Sequence, residues 1–149
     1  MNTDPVLSAD EIDCLRCVAG QMIPASATHN VPGADDAAIV ADMVRSLGRD
    51  REPLRTLLAR IQEAAGGSLA ALSGSDRAAA LDALRRPNPA AFAVVEAVVS
   101  RAYYRDDRVL ASIGMPVRAP FPTGFQVDQI DMSLLDPVKA RGKAFRDAD

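Results

Sequence analysis

The chain has 149 residues, of which 48% are apolar but only 4% aromatic, with no Trp and a net charge of −3. That length suits one domain with a sizeable core, and an Ala-rich, aromatic-poor composition favours close-packed helices over a β-sandwich. The acidic balance argues against the basic face that nucleic acid requires. No window approaches the roughly 20 uninterrupted apolar residues that span a bilayer.

The N-terminal MNTDPVLSADEID is acidic and holds neither a twin-arginine nor an apolar signal segment. The expected compartment is therefore the cytoplasm, with the periplasm reached only if a partner carries the chain there. Ser8 and Glu11 form a capping-box pair, each able to satisfy a free N–H at the start of a helix. That helix is expected to run to about Ile23, with Ile12, Leu15, Val18, Ala19 and Met22 on one face and Pro24 after its end. PASATHNVPG reads as a loop, since it combines prolines and a glycine with polar turn formers.

A second helix is predicted from about Ala34 to Leu47, with Asp35 and Asp36 in its first turn and Gly48 as its stop. A third starts near Pro53, points Leu54, Leu57, Leu58 and Ile61 inward, and ends at Gly66-Gly67. A turn at Gly74 precedes a fourth helix capped by Ser75 or Asp76, which the Pro-Asn-Pro at 87–89 breaks. From about Ala90 comes the central helix. With Glu96 and Ser100 marking one side, Phe92, Val94, Val95, Val98, Val99 and Ala102 form a broad apolar arc opposite. Ala93 and Ala97 beside Glu96 leave room for close approach of another backbone. A short helix within DDRVLASIG then stops at Gly114.

After Gly114 the chain changes character. Pro116, Pro120 and Pro122 exclude helix and central strand there. The expected architecture is all-α: a compact bundle of five or six helices over residues 1–114, followed by an extended, Pro-rich C-terminal arm over 115–149. A structureless tail of that length inside a compact domain is unusual. Phe121, Phe125, Ile130, Met132, Leu134 and Leu135 are too apolar for free solvation, so they are expected to be buried, partly on the bundle and partly on another protein. An arm of about 30 residues laid on a partner reaches the roughly 800 Å² per side of a standard interface.

Candidate chemistry is thin. Cys14 and Cys17 form a C-x-x-C whose thiols share a helix face, but no second pair or suitably placed His completes a zinc site. They read as small core-facing or half-buried residues. His29 lies in a loop without a paired nucleophile, and Asp106-Asp107 is explained by helix capping as well as by a cation. GADDAA lacks the Lys-Ser/Thr of a phosphate loop. Tyr103-Tyr104 reads as a pair that buries its rings and leaves its hydroxyls at the edge. No catalytic constellation emerges, so the chain is not expected to be an enzyme by itself.

Taken in order, LSADEIDCLRCVAGQMIPAS, VPGADDAAIVADMV, YYRDDRVLASIGMPVRAPFPTGF and LLDPVKARGKAFR resemble the gluconate 2-dehydrogenase subunit 3 family. The matching features are Ile23-Pro24-Ala25 at the end of the first helix, Pro32-Gly33-Ala34 before the second, Tyr103-Tyr104, and the turn Ile113-Gly114-Met115-Pro116. Met115 stands where an aromatic is common, and the twin-arginine export signal of many relatives is absent. The resemblance implies a non-catalytic small subunit with no cofactor of its own. It would bind and stabilise a large FAD-dependent dehydrogenase of the glucose–methanol–choline type acting on sugars, glycosides or polyols, whose electrons continue in some complexes to a haem subunit. The residues assigned to partner binding are Tyr103, Tyr104, Met115, Pro116, Pro120, Phe121, Pro122, Phe125, Leu134 and Leu135. Two other readings stay open: a free-standing helical regulatory or ligand-binding domain, and a thiol redox protein using Cys14 and Cys17.

Overall fold

The computed structural model describes residues 6–118, 121–122, 124 and 129–143. The described chain is all-helical, with seven α-helices, three short 3-10 turns and a single isolated bridge between Ser26 and Val31. It divides into two units, residues 1–117 and 118–149.

The first unit holds six helices: α1 (Ala9–Met22), α2 (Ala37–Arg45), α3 (Arg51–Ala64), α4 (Gly74–Arg85), α5 (Pro89–Tyr103) and α6 (Asp107–Ser112). The expected capping box opens α1: Ser8 Oγ accepts the Glu11 N–H, and the Ser8 N–H donates to Glu11 Oε2 at 2.7 Å. Helix α5 is the centre, packed against α2, α3 and α4. It buries Phe92, Val95, Val98, Val99, Ala102 and Tyr103, while Val94 is half-buried and Glu96 and Ala97 face solvent. These side chains meet Leu15, Val18 and Ala19 of α1, Ile39 and Met43 of α2, and Leu54, Leu57, Leu58 and Ile61 of α3 in one core. No polar or charged side chain among the described residues is buried in it.

Two boundaries differ from the sequence expectation. Helix α2 begins at Ala37 rather than near Ala34, because the Asp36 side chain accepts the Ala38 N–H and makes Asp36 the cap. Ala34 instead lies buried in a turn, its N–H donated to the Ile23 carbonyl at 2.8 Å. Helix α4 starts earlier than expected, since Ser73 and not Ser75 or Asp76 accepts the capping N–H, from Asp76. It buries no residue fully; Arg77 ties its first turn to the carbonyls of Leu69, Ala70 and Leu72.

The second unit corrects the expectation of an arm without regular structure. A 3-10 turn at Met132–Leu135 leads into a short helix, α7 (Asp136–Ala140). Asp131 makes this possible by accepting the Ser133 N–H, and Pro137 sits in the first turn of α7, where its missing N–H costs nothing.

A candidate partner-binding surface

Three of the sequence features singled out above meet at one junction of the first unit. The Ile23-Pro24-Ala25 stop of α1 lies against the Pro32-Gly33-Ala34 turn. Their contact is so close that a Cβ on Gly33 would fall 2.9 Å from the Ala25 nitrogen and 3.3 Å from the Ile23 oxygen. Tyr103, at the end of α5, reaches the same place and donates its hydroxyl to the Pro32 carbonyl at 3.2 Å. Burial pushes the Tyr103 phenol above its ordinary range, with the neighbouring Tyr104 and Asp106 adding to the effect. The phenol therefore stays protonated, as a donor, at neutral pH.

Beside the junction, Arg108 of α6 spreads its guanidinium over two carboxylates. It donates to Asp36 from Nη1 and Nη2 at 3.1 and 2.9 Å, and to Asp106 from Nε and Nη2 at 2.9 and 2.8 Å. Asp36 caps α2 and Asp106 caps α6, so one cation joins two helix starts. The Arg108 bonds hold both carboxyls below the usual carboxylate range, and burial opposes them only in part. One turn earlier, Arg105 pairs with Asp42, which also binds Arg45, and donates to Ser46 Oγ. The sequence carried no sign of these clasps, because Asp36 and Arg108 are 72 residues apart. Asp106 thus resolves into capping and ion pairing, and Asp107 lies in the first turn of α6.

The exposed apolar side chains are unevenly spread. Among the described residues, every large exposed hydrophobic side chain lies at or beyond Tyr104, except Val6. In the first unit these are Tyr104, Ile113, Met115 and Val117; in the second, Phe121, Ile130, Met132, Leu134, Leu135 and Val138. Phe121 is 85% exposed and Leu134 71%. Of the set expected to be buried, Phe121, Ile130, Met132, Leu134 and Leu135 are exposed, and Phe125 lies outside the described residues.

The sequence-assigned residues separate accordingly. Tyr104, Met115, Pro116, Phe121, Pro122, Leu134 and Leu135 are exposed, and Tyr103 is buried. Pro120 and Phe125 lie outside the described residues. The two Tyr rings meet edge to face at 5.3 Å, but only Tyr103 is covered; Tyr104 is 55% exposed, contrary to the expectation that both rings are buried. The sequence pattern did not single out Ile113, Val117 and Val138 as contact residues, although each neighbours apolar positions that it did.

The polar candidates have local roles. Cys14 is buried with its thiol toward the Leu58 carbonyl at 3.9 Å, and burial pushes that thiol up to about 12, with Cys17 adding to the shift. Cys17 is half-buried, and neither is in a disulfide. His29 is exposed, and its backbone N–H donates to Ser26 Oγ. Among the described residues, no group of His, Cys, Asp and Glu is placed to hold a metal ion, and no helix is long and apolar enough to cross a membrane. Compared with family models, with curated proteins and with solved structures, the chain gives no match.

Proposed function

We propose that this chain is a small accessory subunit that binds and stabilises a large FAD-dependent dehydrogenase of the glucose–methanol–choline type, acting on sugars, glycosides or polyols. One observation carries the reading: the exposed apolar side chains gather in the last third of the chain, beyond a core that is complete without them. Exposed apolar side chains on each unit are costly in water and mark interaction sites. The anchors are Phe121, Leu134 and Leu135 on the second unit, and Met115 and Tyr104 on the first, aromatic and aliphatic types that fill partner pockets.

The convergence of Ile23-Pro24-Ala25, Pro32-Gly33-Ala34 and Tyr103 on one junction is consistent with the family resemblance, because the features it rests on belong together in space. The Cys14 thiol, raised to about 12, is protonated at neutral pH and favours packing over redox work for that residue. In this reading the chain contributes no reacting group. It covers an apolar face of the flavoprotein, and FAD and a haem subunit belong to the partners.

The test is co-purification of the tagged full chain from its own cells. The expected companion is a polypeptide that carries FAD and oxidises a sugar or polyol with an artificial electron acceptor. Phe121→Ala with Leu134→Ala should lower its recovery about tenfold or more, since two anchor truncations together exceed about 1.4 kcal/mol. If no flavoprotein accompanies the wild-type chain, the subunit reading is wrong and a free-standing helical regulator takes its place.

A further inference from the structure

Helix α6 is held to the bundle in a different way from α1, α2, α3 and α5, each of which buries at least three side chains. It has six residues, too short to persist alone, since isolated helices below about 12 residues are marginal even with good formers. It buries one side chain, Val109, with Leu110 half-buried. Helix α5, by contrast, buries six. Besides Val109, what joins α6 to the rest is the paired donation of Arg108 to Asp36, across a surface where Arg108 is itself 49% exposed.

Exposed ion pairs generally contribute little, but the exceptions are paired guanidinium–carboxylate contacts and networks. This cluster is both. The groups that face one another are Asp36 and Asp42 from α2 and its cap, Arg45 of α2, Arg105 and Asp106 before α6, and Arg108 within it; Asp107 lies on the same groove. Arg105, bound to Asp42 and Ser46, anchors the chain just ahead of α6. An opening motion would therefore begin after Arg105 and carry the turn closed by Gly114 and Met115 with it.

We propose that α6 is an ionic latch: residues 106–117 open as one segment when Arg108 leaves Asp36, while α1–α5 stay folded. The closed latch fixes the positions of Ile113, Met115 and Val117; the open one frees them. Because the contact is charged and half-solvated, dissolved salt weakens it, unlike the apolar packing of α5. The inference goes beyond the accessory-subunit reading and does not depend on it.

Amide hydrogen exchange on the full chain, residue by residue, tests this. The reporters are the amides of Leu110, Ile113, Gly114 and Met115, which donate to Asp106, Val109, Ala111 and Leu110 carbonyls. Arg108→Ala should speed their exchange about tenfold or more, while the amides of α1, α3 and α5 keep their rates, as expected for local opening. Asp36→Asn should give the same pattern, because Asn still caps α2 but no longer carries the charge Arg108 needs. Raising NaCl to about 0.5 M should speed the same four amides in the wild type and change little in Arg108→Ala. Unchanged reporters in both variants would refute the latch. So would a uniform rise across α1–α5, or global unfolding of both variants, since α6 would then be a cooperative part of the core.

Discussion

A Cβ at Gly33 would lie 2.3 Å from Asp35 Oδ1 and 2.9 Å from the Ala25 backbone nitrogen. The carboxylate can swing away, but the backbone of the α1 stop cannot. Gly33→Ala is therefore expected to destabilise the chain by about 1–3 kcal/mol, the range for forcing extra volume into a packed site, measurable as a lower urea midpoint at unchanged slope. Cys14 permits a second residue-scale prediction. Its buried thiol should resist iodoacetamide at pH 8 in the native chain and react once urea is added, whereas half-buried Cys17 should be modified sooner; mass spectrometry of the peptides reads both. Because burial raises the Cys14 thiol in the folded state, its contribution is complete below the ordinary thiol range and is lost as pH climbs toward about 12. Equal and rapid labelling of both thiols in the native state would contradict the burial assigned to Cys14.

At the scale of elements, the helices divide into those held by packing and those held by polar contacts. Helix α3 places four side chains in the core and adds Arg55, whose Nε donates to Glu11 Oε1 at 2.9 Å. Burial alone would raise the Glu11 carboxyl, but the bonds from Arg55 and Ser8 outweigh it and hold it below its usual range. Asp36 and Asp106 are lowered too, chiefly by Arg108. Carboxyls depressed by folding contribute stability above their unfolded pKa, near ~4, and lose it as pH falls through the folded values. Acid titration should therefore loosen α6 and the start of α1 while α5, whose hold on the core is apolar packing, keeps its protection. Hydrogen exchange at pH 3 against pH 6, corrected for intrinsic rates, checks the order; simultaneous loss in α5 and α6 would count against it.

For the molecule as a whole, the division at Val117 carries a direct consequence. Among the described residues the core is drawn wholly from Leu7 to Val109, so removing residues 118–149 takes away no described core side chain. The shortened chain should keep its helical circular dichroism and a cooperative thermal transition. It should also be more soluble than the full chain when expressed without a partner, because Phe121, Ile130, Met132, Leu134, Leu135 and Val138 leave with the deleted unit. A shortened chain that loses cooperativity would mean that the second unit is needed for folding.

Local physics makes much of this chain legible from its residues alone. The Ser8–Glu11 box, the cap at Asp106, the inward faces of α3 and α5 and the stops at Pro24 and Gly114 all follow from groups three or four residues apart, whose geometry a helix dictates. The early start assigned to α2 failed because Asp36 caps the helix instead of lying in its first turn, while Ala34 is held outside it by the bond of its N–H to the Ile23 carbonyl. What the tertiary structure alone decided is of another kind. The Arg108–Asp36 clasp and the Tyr103–Pro32 bond join residues 72 and 71 positions apart, and no spacing rule reaches that far. Whether Phe121 and Leu134 are covered depended on packing that no local pattern specifies, and both are exposed. Their apolar character is written in the chain, but exposure is set by what is left to bury them.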